Sequence, residues 1–338
     1  MPTRLSRSFQ RLMHLVPAGA QLESMRDLVR EDLVDDAKVM ALVGNRHFSE
    51  DDPISRRANM PRVRPILVAL AARAAGADSV DDETLYAAEL LHLALGVHDF
   101  AFGRQGGRRR RVARRVVKRS VGWLSGNHLT LRALELTRHG SPGVMGELVD
   151  TLREFSDGQE LSRALQQGVI PTREDWEEHA DLLTGALFAF CCRSGGLVAG
   201  ADPRILSALG RFGRHLGRLW HAAEDVSVIE HGDAGAHLWA RALAGRPVLA
   251  VIESEAMDPG IGQAWAELVL SPQAEAADAI HQRVLRAGGL SRTREIIVRE
   301  SWSARRALRI LPDSRYRTAL DRFAADLAKA GFRGMPST

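Results

Sequence analysis

The chain has 338 residues, of which 45% are hydrophobic, so it can bury a large core, and no Pro-, Gly- or Ser-rich linker divides it. The formal net charge is +4, but nine Lys/Arg and no acid fall between Arg104 and Arg119, which indicates an anionic partner. The adjacent Cys191 and Cys192 are the only cysteines, and no apolar run reaches about 18 residues; these features argue against a disulfide framework, a signal peptide and a transmembrane helix. We therefore expect a cytoplasmic protein with two small core cysteines.

Apolar residues recur at helical spacing along most of the chain, and no segment shows sustained period-two alternation, so the predicted fold class is all-α. Helix-start signals occur at Asp81, Thr172 and Asp202, and glycines mark the helix ends. In chain order, the pattern predicts helices over residues 83–95, 121–136, 144–165, 175–199, 203–228, 259–270 and 273–287.

Two of these apolar segments end in acidic residues. The first ends near Asp99, directly before the arginine-rich run, and the second ends at Glu224 and Asp225. Two acidic helix ends that face each other across a cavity could hold Mg²⁺ against a diphosphate, because Mg²⁺ prefers hard oxygen ligands. The second segment and the helix before it are rich in glycine and alanine, which either close helix packing or a ligand cavity would explain.

These segments, together with others in the same order, resemble the trans-isoprenyl diphosphate synthase (polyprenyl synthetase) family over nearly the whole chain. Each motif alone is weak, but their order and spacing together are specific. The segments that carry the resemblance are Arg62-Val63-Arg64-Pro65, Ala88-Glu89-Leu90-Leu91-His92, Val97-His98-Asp99, Arg108-Arg109, Gly158-Gln159, Thr184-Gly185-Ala186-Leu187-Phe188, Phe212-Gly213-Arg214-His215-Leu216-Gly217 and Leu311-Pro312-Asp313-Ser314-Arg315-Tyr316-Arg317.

The resemblance implies a single-domain helical bundle of the isoprenoid synthase type around a central cavity. We expect it to span residues 21–332, with flexible segments at 1–20 and 333–338. It also implies an isoprenoid diphosphate ligand, and either a homodimer or a heterodimer with an intact prenyl synthase. The implied metal ligands are Asp99, Glu224 and Asp225. The implied substrate-binding residues are Arg62, Arg108, Arg109, Gln159, Thr184 and Arg246.

In the family, each of the two acidic helix ends, near Asp99 and at Glu224 and Asp225, carries an aspartate-rich motif. This sequence departs from the family pattern at both acidic motifs. Phe100 and Gly103 replace acids of the first motif, and Val228 replaces the last acid of the second. The remaining carboxylates supply fewer oxygen anions, so any Mg²⁺ site is weakened, and ionisation of an allylic diphosphate should be impaired. Among the phosphate-binding positions, Pro61 and Leu183 replace lysines, and Arg246 replaces a lysine but keeps the positive charge. His221 replaces the family's glutamine three residues before the second acidic motif.

Three functions follow as hypotheses. The first is a catalytically impaired homologue that acts as a non-catalytic or regulatory subunit of a prenyl synthase, or as an isoprenoid diphosphate binder. The second is an active, non-standard prenyltransferase or terpene cyclase that uses a reduced metal site. The third is an adaptor whose segment from Arg104 to Arg119 binds a membrane surface or nucleic acid.

The sequence leaves the roles of several residues open. Asp99 is either a residual Mg²⁺ ligand or a helix-end acid that pairs with an arginine. His221, with Glu224 three residues later, is either part of an unorthodox metal site or a core histidine. Arg104 could replace a lost metal ion as a counter-charge for the diphosphate.

Overall fold

The computed structural model describes residues 63–102, 112–230 and 234–331, and every regular element in these ranges is helical. The predicted all-α fold class is therefore confirmed. The α-helices, in chain order, are α1 Val63–Ala74, α2 Asp82–Phe102, α3 Val112–His139, α4 Val144–Leu165, α5 Arg173–Ala180, α6 Ala186–Val198, α7 Pro203–Glu230, α8 Ala234–Leu243, α9 Leu249–Ile252, α10 Ile261–Leu270, α11 Ala274–Ala287, α12 Gly289–Ala307 and α13 Arg315–Gly331.

The residues predicted to start helices act as caps. The Asp81 carboxylate accepts a hydrogen bond at 2.7 Å from the backbone N–H of Thr84, the third residue of α2. Thr172 and Asp175 form a reciprocal capping box at the start of α5. The Asp202 carboxylate accepts hydrogen bonds from two backbone N–H groups in the first turn of α7. Local polar chemistry thus fixes where these helices begin.

The predicted helix over residues 175–199 is interrupted in the structure. A π-helical turn, Asp181–Gly185, joins α5 to α6 and makes one continuous helical segment. A π turn widens the helix locally and occurs frequently at functional sites. The sequence pattern does not reveal it, because an apolar stripe continues through the turn.

Helix α7 is the central helix and packs against α6, α12 and α13. Glycines allow the close approach of α7 to the π turn and α6. A methyl group added at Gly217 would lie 2.5 Å from the Gly185 Cα atom, and one at Gly213 would lie 2.5 Å from the Ala189 Cα atom. Backbone cannot move aside as a flexible side chain can, so at these two positions the small residues serve close helix packing.

The helical segment Arg173–Val198 is the one candidate membrane span within the described ranges, judged by length and composition. Of its most apolar window, 61% is buried inside the protein, which is typical of a core helix. Cys191 and Cys192 lie in this segment, and both are fully buried free thiols. The prediction of two small core cysteines therefore agrees with the structure, and burial raises the pKa of the Cys191 thiol to about 12.

Candidate functional site

Asp225 lies near the C-terminal end of α7 and is completely buried. Its Oδ2 atom accepts two hydrogen bonds, one from the Trp176 indole N–H at 2.8 Å and one from the Leu249 backbone N–H at 2.9 Å. Trp176 comes from α5 and Leu249 begins α9, so this carboxylate joins three elements that are distant in sequence. Removal of Asp225 would leave two buried donors without an acceptor.

Arg241 of α8 supplies the positive charge beside this carboxylate. Its Nη2 atom lies 3.5 Å from Asp225 Oδ1 and 3.7 Å from Glu224 Oε2, and its side chain is only 12% exposed. Oδ1 accepts no hydrogen bond within the described ranges, so Arg241 acts on it through charge. Burial raises the pKa of Asp225 to about 6, and Arg241 opposes that rise.

Glu224 is oriented by its neighbour on the same helix. Its Oε1 atom accepts a hydrogen bond from the indole N–H of Trp220, one turn earlier, at 2.9 Å. Its other oxygen faces Arg241. Both acids of the second motif are therefore engaged by donors or a cation of the protein itself.

Two buried histidines lie beside the acids, with ring centroids 5.5 Å apart. His179 Nε2 is 2.9 Å from Ser162 Oγ, and His221 Nδ1 is 3.2 Å from Thr184 Oγ1. Burial lowers the pKa of both imidazoles, that of His179 to about 3, and the positive charge of Arg241 lowers both further. Both histidines are thus neutral at neutral pH.

One nitrogen of each histidine, His179 Nδ1 and His221 Nε2, has no hydrogen-bond partner in the described part of the chain. Unpaired buried polar atoms are uncommon in folded proteins, so each calls for an explanation. We name the group formed by Ser162, His179, His221, Asp225 and Arg241 the buried polar cluster.

Local structure positions this cluster. The capping box at Thr172 fixes the start of α5, which places Trp176 and His179, three residues apart, on one side of the helix. Gly245 ends the turn after α8 with a φ of +66°, and a methyl group there would lie 2.1 Å from the Ser162 backbone oxygen. The turn that follows α8, the helix that carries Arg241, therefore lies directly on α4.

Two arginines of α7 hold the π turn in place. The Arg214 Nη1–H donates to the Asp181 backbone oxygen at 3.2 Å, and Arg218 Nε lies 3.1 Å from the Asp181 carboxylate. This anchoring sets the position of Thr184, which in turn contacts His221.

Several predicted site residues meet at this place. Thr184 lies in the π turn, and Gln159 is buried in α4, one turn before Ser162. Arg246 is half-buried, and its backbone N–H donates to the Arg241 backbone oxygen at 3.0 Å. Their roles in substrate binding stay predictions.

Other predicted residues cannot be placed against this site. Arg62, Arg104, Arg108 and Arg109 lie outside the described residues, and so does the side chain of Asp99, although its backbone belongs to α2.

Arg64, in the segment Arg62-Val63-Arg64-Pro65 that carries part of the family resemblance, has an aromatic environment. The Arg64 guanidinium lies 5.4 Å from the ring centroid of Phe188 and 5.7 Å from that of Trp220. At these distances it makes cation–π contacts with both rings.

Sequence reasoning missed four residues of the site, namely Ser162, Trp176, His179 and Arg241. Trp176 and His179 could have been found, because a histidine and a tryptophan share one face just after a strong helix cap. Nothing in the sequence near Arg241 distinguishes it from a surface arginine.

Mg²⁺ requires carboxylate oxygens that are open to the ion and arranged near an octahedron. Asp225 Oδ2 is occupied by two N–H donors, Asp225 Oδ1 and Glu224 Oε2 face Arg241, and Glu224 Oε1 is occupied by Trp220. As arranged, the second acidic motif does not fit a magnesium ion. The described residues also hold no group of three or more His, Cys, Asp or Glu side chains suited to a metal.

Comparisons with known proteins agree with the resemblance. Octaprenyl diphosphate synthase of Escherichia coli (strain K12) is 26% identical over 275 residues, which cover 77% of this chain and 82% of that protein. The all-trans-nonaprenyl-diphosphate synthase (geranyl-diphosphate specific) of Rhodobacter capsulatus is 25% identical over 328 residues, 90% of this chain and 94% of the relative.

Solved structures show the same fold. A polyprenyl synthase from Caulobacter crescentus CB15, complexed with calcium and isoprenyl diphosphate, superposes with a TM-score of 0.76 at 22% identity, over 95% of this chain and 97% of that one. A decaprenyl diphosphate synthase from Rhodobacter capsulatus gives a TM-score of 0.74, also at 22% identity, over 95% of this chain and 98% of that one.

The sequence profile of the family described as Polyprenyl synthetase matches residues 58–230, half of the chain. The chain therefore belongs to the polyprenyl synthetase family.

Proposed function

We propose that this chain binds an isoprenoid diphosphate without Mg²⁺-dependent prenyl transfer, and that it acts as a non-catalytic or regulatory subunit of a prenyl synthase. One observation carries the proposal: Arg241 and three N–H donors engage Glu224 and Asp225, the two acids that remain in the second motif. The ligand class is supported by the similar Caulobacter protein, which is complexed with isoprenyl diphosphate.

Electrostatics links this geometry to the proposal. Loss of a diphosphate leaving group requires cations that neutralise the charge that develops on it. Arg241 carries one positive charge, but two carboxylates of the same site already neutralise it. Arg246 and the predicted Arg62, Arg108 and Arg109 can still attract a diphosphate, since that needs only positive charge and hydrogen bonds.

A second candidate is an active, non-standard prenyltransferase or terpene cyclase. The relatives that favour it are named as synthases and align with this chain over most of its length. Under this alternative, the first motif around Asp99 would hold the metal ion with little help from the second.

Turnover and binding measured together separate the two candidates. We expect the purified chain, given allylic and homoallylic diphosphates with Mg²⁺, to form no prenylated product by radio-chromatography. Calorimetry should show binding of a non-hydrolysable allylic thiodiphosphate, with an affinity that chelation of Mg²⁺ leaves nearly unchanged. Mg²⁺-dependent product formation would overturn the proposal and favour the second candidate.

A matched pair of variants tests the ligand site. Arg246→Gln should weaken analogue binding by about tenfold or more, the usual effect of losing a charge-assisted hydrogen bond. Arg204→Gln removes an equally charged but exposed side chain from the first turn of α7 and should leave binding unchanged. Equal affinities for both variants would exclude Arg246 from the site.

The subunit role needs a separate experiment. Co-expression with an intact prenyl synthase from the same genome should give a stable heteromeric complex in light scattering after gel filtration. The complex should also make a product of different chain length from that of the synthase alone. If only homodimers form and the product does not change, the regulatory role is wrong, even if the chain binds diphosphate.

A further inference from the structure

A cavity of about 380 Å³ opens between the C-terminal end of α12 and the first turns of α13, and none of its lining residues belongs to the buried polar cluster. Its lining is strongly basic, since it contains four arginines and one acid. The charged lining residues are Arg305, Arg306, Arg309, Arg317 and Asp321.

Only part of this positive charge is compensated. Arg305 Nε lies 2.9 Å from the Asp321 carboxylate, and Arg317 pairs with Asp313. By contrast, Arg306 and Arg309 are exposed and make no ion pair within the described ranges. The cavity therefore presents a net positive potential to an approaching ligand.

The start of α13 adds to the positive charge of this surface. The first turn of this helix contains Arg315 and Arg317 and no acid. The positive end of a helix dipole favours acids, and cations placed there cost stability. Arg317 pairs with Asp313 and donates to the Leu311 backbone oxygen, and Arg315 donates to the Tyr316 hydroxyl, so the protein itself offsets part of this cost. An anionic partner on this surface would offset more of it.

Trp302 lines the basic cavity, and other exposed apolar side chains lie close to the lining residues in sequence. Trp302 is 52% exposed and Val298 is 51% exposed; they lie one turn apart on the same face of α12. Ile310, directly after Arg309, is 51% exposed. The Arg306 guanidinium lies 5.2 Å from the Trp302 ring, so its charge stacks on an aromatic side chain that is itself half open to solvent.

Arginine beside exposed tryptophan and branched aliphatic residues is the composition that proteins use at lipid interfaces. The positive charges attract anionic headgroups, and the apolar side chains enter the boundary with the acyl chains. A nucleic acid or a free phosphate would use the arginines but would gain little from Val298 and Ile310. The combined surface therefore favours an anionic bilayer.

We propose that the α12–α13 surface docks this protein on an anionic lipid bilayer, with a lipid phosphate in the arginine-lined cavity and Trp302 at the headgroup level. This proposal does not depend on the proposed function, because lipid binding can be measured without a prenyl substrate. It also differs from the membrane role predicted for the segment from Arg104 to Arg119, which lies on another part of the chain.

Vesicle co-sedimentation of the full chain tests the proposal. The protein should bind vesicles of phosphatidylcholine with phosphatidylglycerol, should not bind phosphatidylcholine alone, and should dissociate as salt rises. Arg306→Gln/Arg309→Gln should lower partitioning about 25-fold, since each arginine near an anionic surface contributes roughly fivefold. The exposed pair on α7, changed as Arg204→Gln/Arg211→Gln, is the matched control and should retain binding.

Two further measurements make the result decisive. Brominated lipids should quench the tryptophan fluorescence of the wild-type protein, and Trp302→Phe should remove most of that quenching. If Arg114→Gln/Arg115→Gln abolishes vesicle binding while the Arg306/Arg309 variant binds normally, the proposal is overturned in favour of the arginine-rich segment. Binding to oligonucleotides or inorganic phosphate, with no binding to anionic vesicles, would also overturn it.

Discussion

The Arg241 guanidinium lies 3.5 Å from Asp225 Oδ1 and 3.7 Å from Glu224 Oε2, so one tethered cation serves two carboxylates. A divalent ion that competed for these oxygens would have to displace a charge that the fold itself holds in place. It would also have to compete with the Trp176 and Leu249 N–H groups for Asp225 Oδ2. This relationship sets the chemistry of the second acidic motif.

Arg241→Gln should destabilise the protein by about 2–4 kcal/mol at pH 7, because it leaves a buried carboxylate without its counter-charge. The cost should be smaller at pH 5, since Asp225, with a pKa of about 6, is then largely protonated and neutral. Urea unfolding at both pH values measures the difference. Arg211→Gln on the exposed face of α7 is the control, and we expect it to change the free energy of unfolding by less than about 0.5 kcal/mol. An equal cost at pH 7 and pH 5 would contradict the prediction.

The two buried histidines make the protein acid-sensitive. Both pKa values are lower in the folded protein than the ordinary value of 6.5, so below that pH the unfolded chain binds more protons. Each histidine therefore contributes stability that is complete above pH 6.5 and is lost as the pH falls toward the folded pKa, by about 1.4 kcal/mol per pH unit. His221→Gln should remove this loss for one site. The free-energy difference between wild type and variant, measured by urea unfolding from pH 7 to 4.5, should shift in favour of the variant on acidification.

The contribution of Asp225 to stability changes with pH in the opposite direction from that of the histidines. Its folded pKa of about 6 lies above its ordinary value of 3.8, so between these values the folded protein binds more protons. Its contribution to stability is complete below pH 3.8 and is lost as the pH rises through 6. Asp225→Asn should therefore make the loss of stability on acidification steeper than in the wild type. The same titration of unfolding free energy checks this, and a shallower slope would show that the assignment is wrong.

The contact between α7 and the π turn should tolerate no side chain at Gly217. A methyl group there would meet the Gly185 backbone at 2.5 Å, so Gly217→Ala should cost about 1–3 kcal/mol or more through displacement of the two helices. Gly146→Ala in α4 is a matched control, because nothing lies within 4 Å of the added methyl group. That control should stabilise the protein by about 0.5–1 kcal/mol. Thermal and urea unfolding of both variants measure the contrast.

The start of α5 depends on the Thr172 hydroxyl, which accepts a hydrogen bond from the Asp175 N–H at 3.1 Å. Thr172→Ala should cost about 1 kcal/mol, whereas Thr172→Ser should keep the cap and most of the stability. Since α5 carries Trp176 and His179, the alanine variant should also increase hydrogen exchange in the first turns of α5. Unchanged exchange there would show that tertiary packing alone holds the helix.

The sequence predicted the helices with long apolar periodicity and strong ends. The predicted segment over residues 144–165 coincides with α4, and that over 203–228 matches α7 to within two residues. Helix α12 was not placed, because its surface carries many arginines and only a narrow apolar stripe. The π turn was missed because an apolar stripe does not show whether a helix turn contains an extra residue.

The sequence by itself determined the all-α class, the family resemblance, the helix caps and the positions where acids of the two motifs are absent. These features depend on residue type and on short-range spacing, which the chain carries in linear form. Only the tertiary structure decided what the remaining acids do. Arg241, Trp176 and Leu249 lie 16, 49 and 24 residues from Asp225, and their convergence on one carboxylate arises from the packing of α5, α8 and α9 around the end of α7.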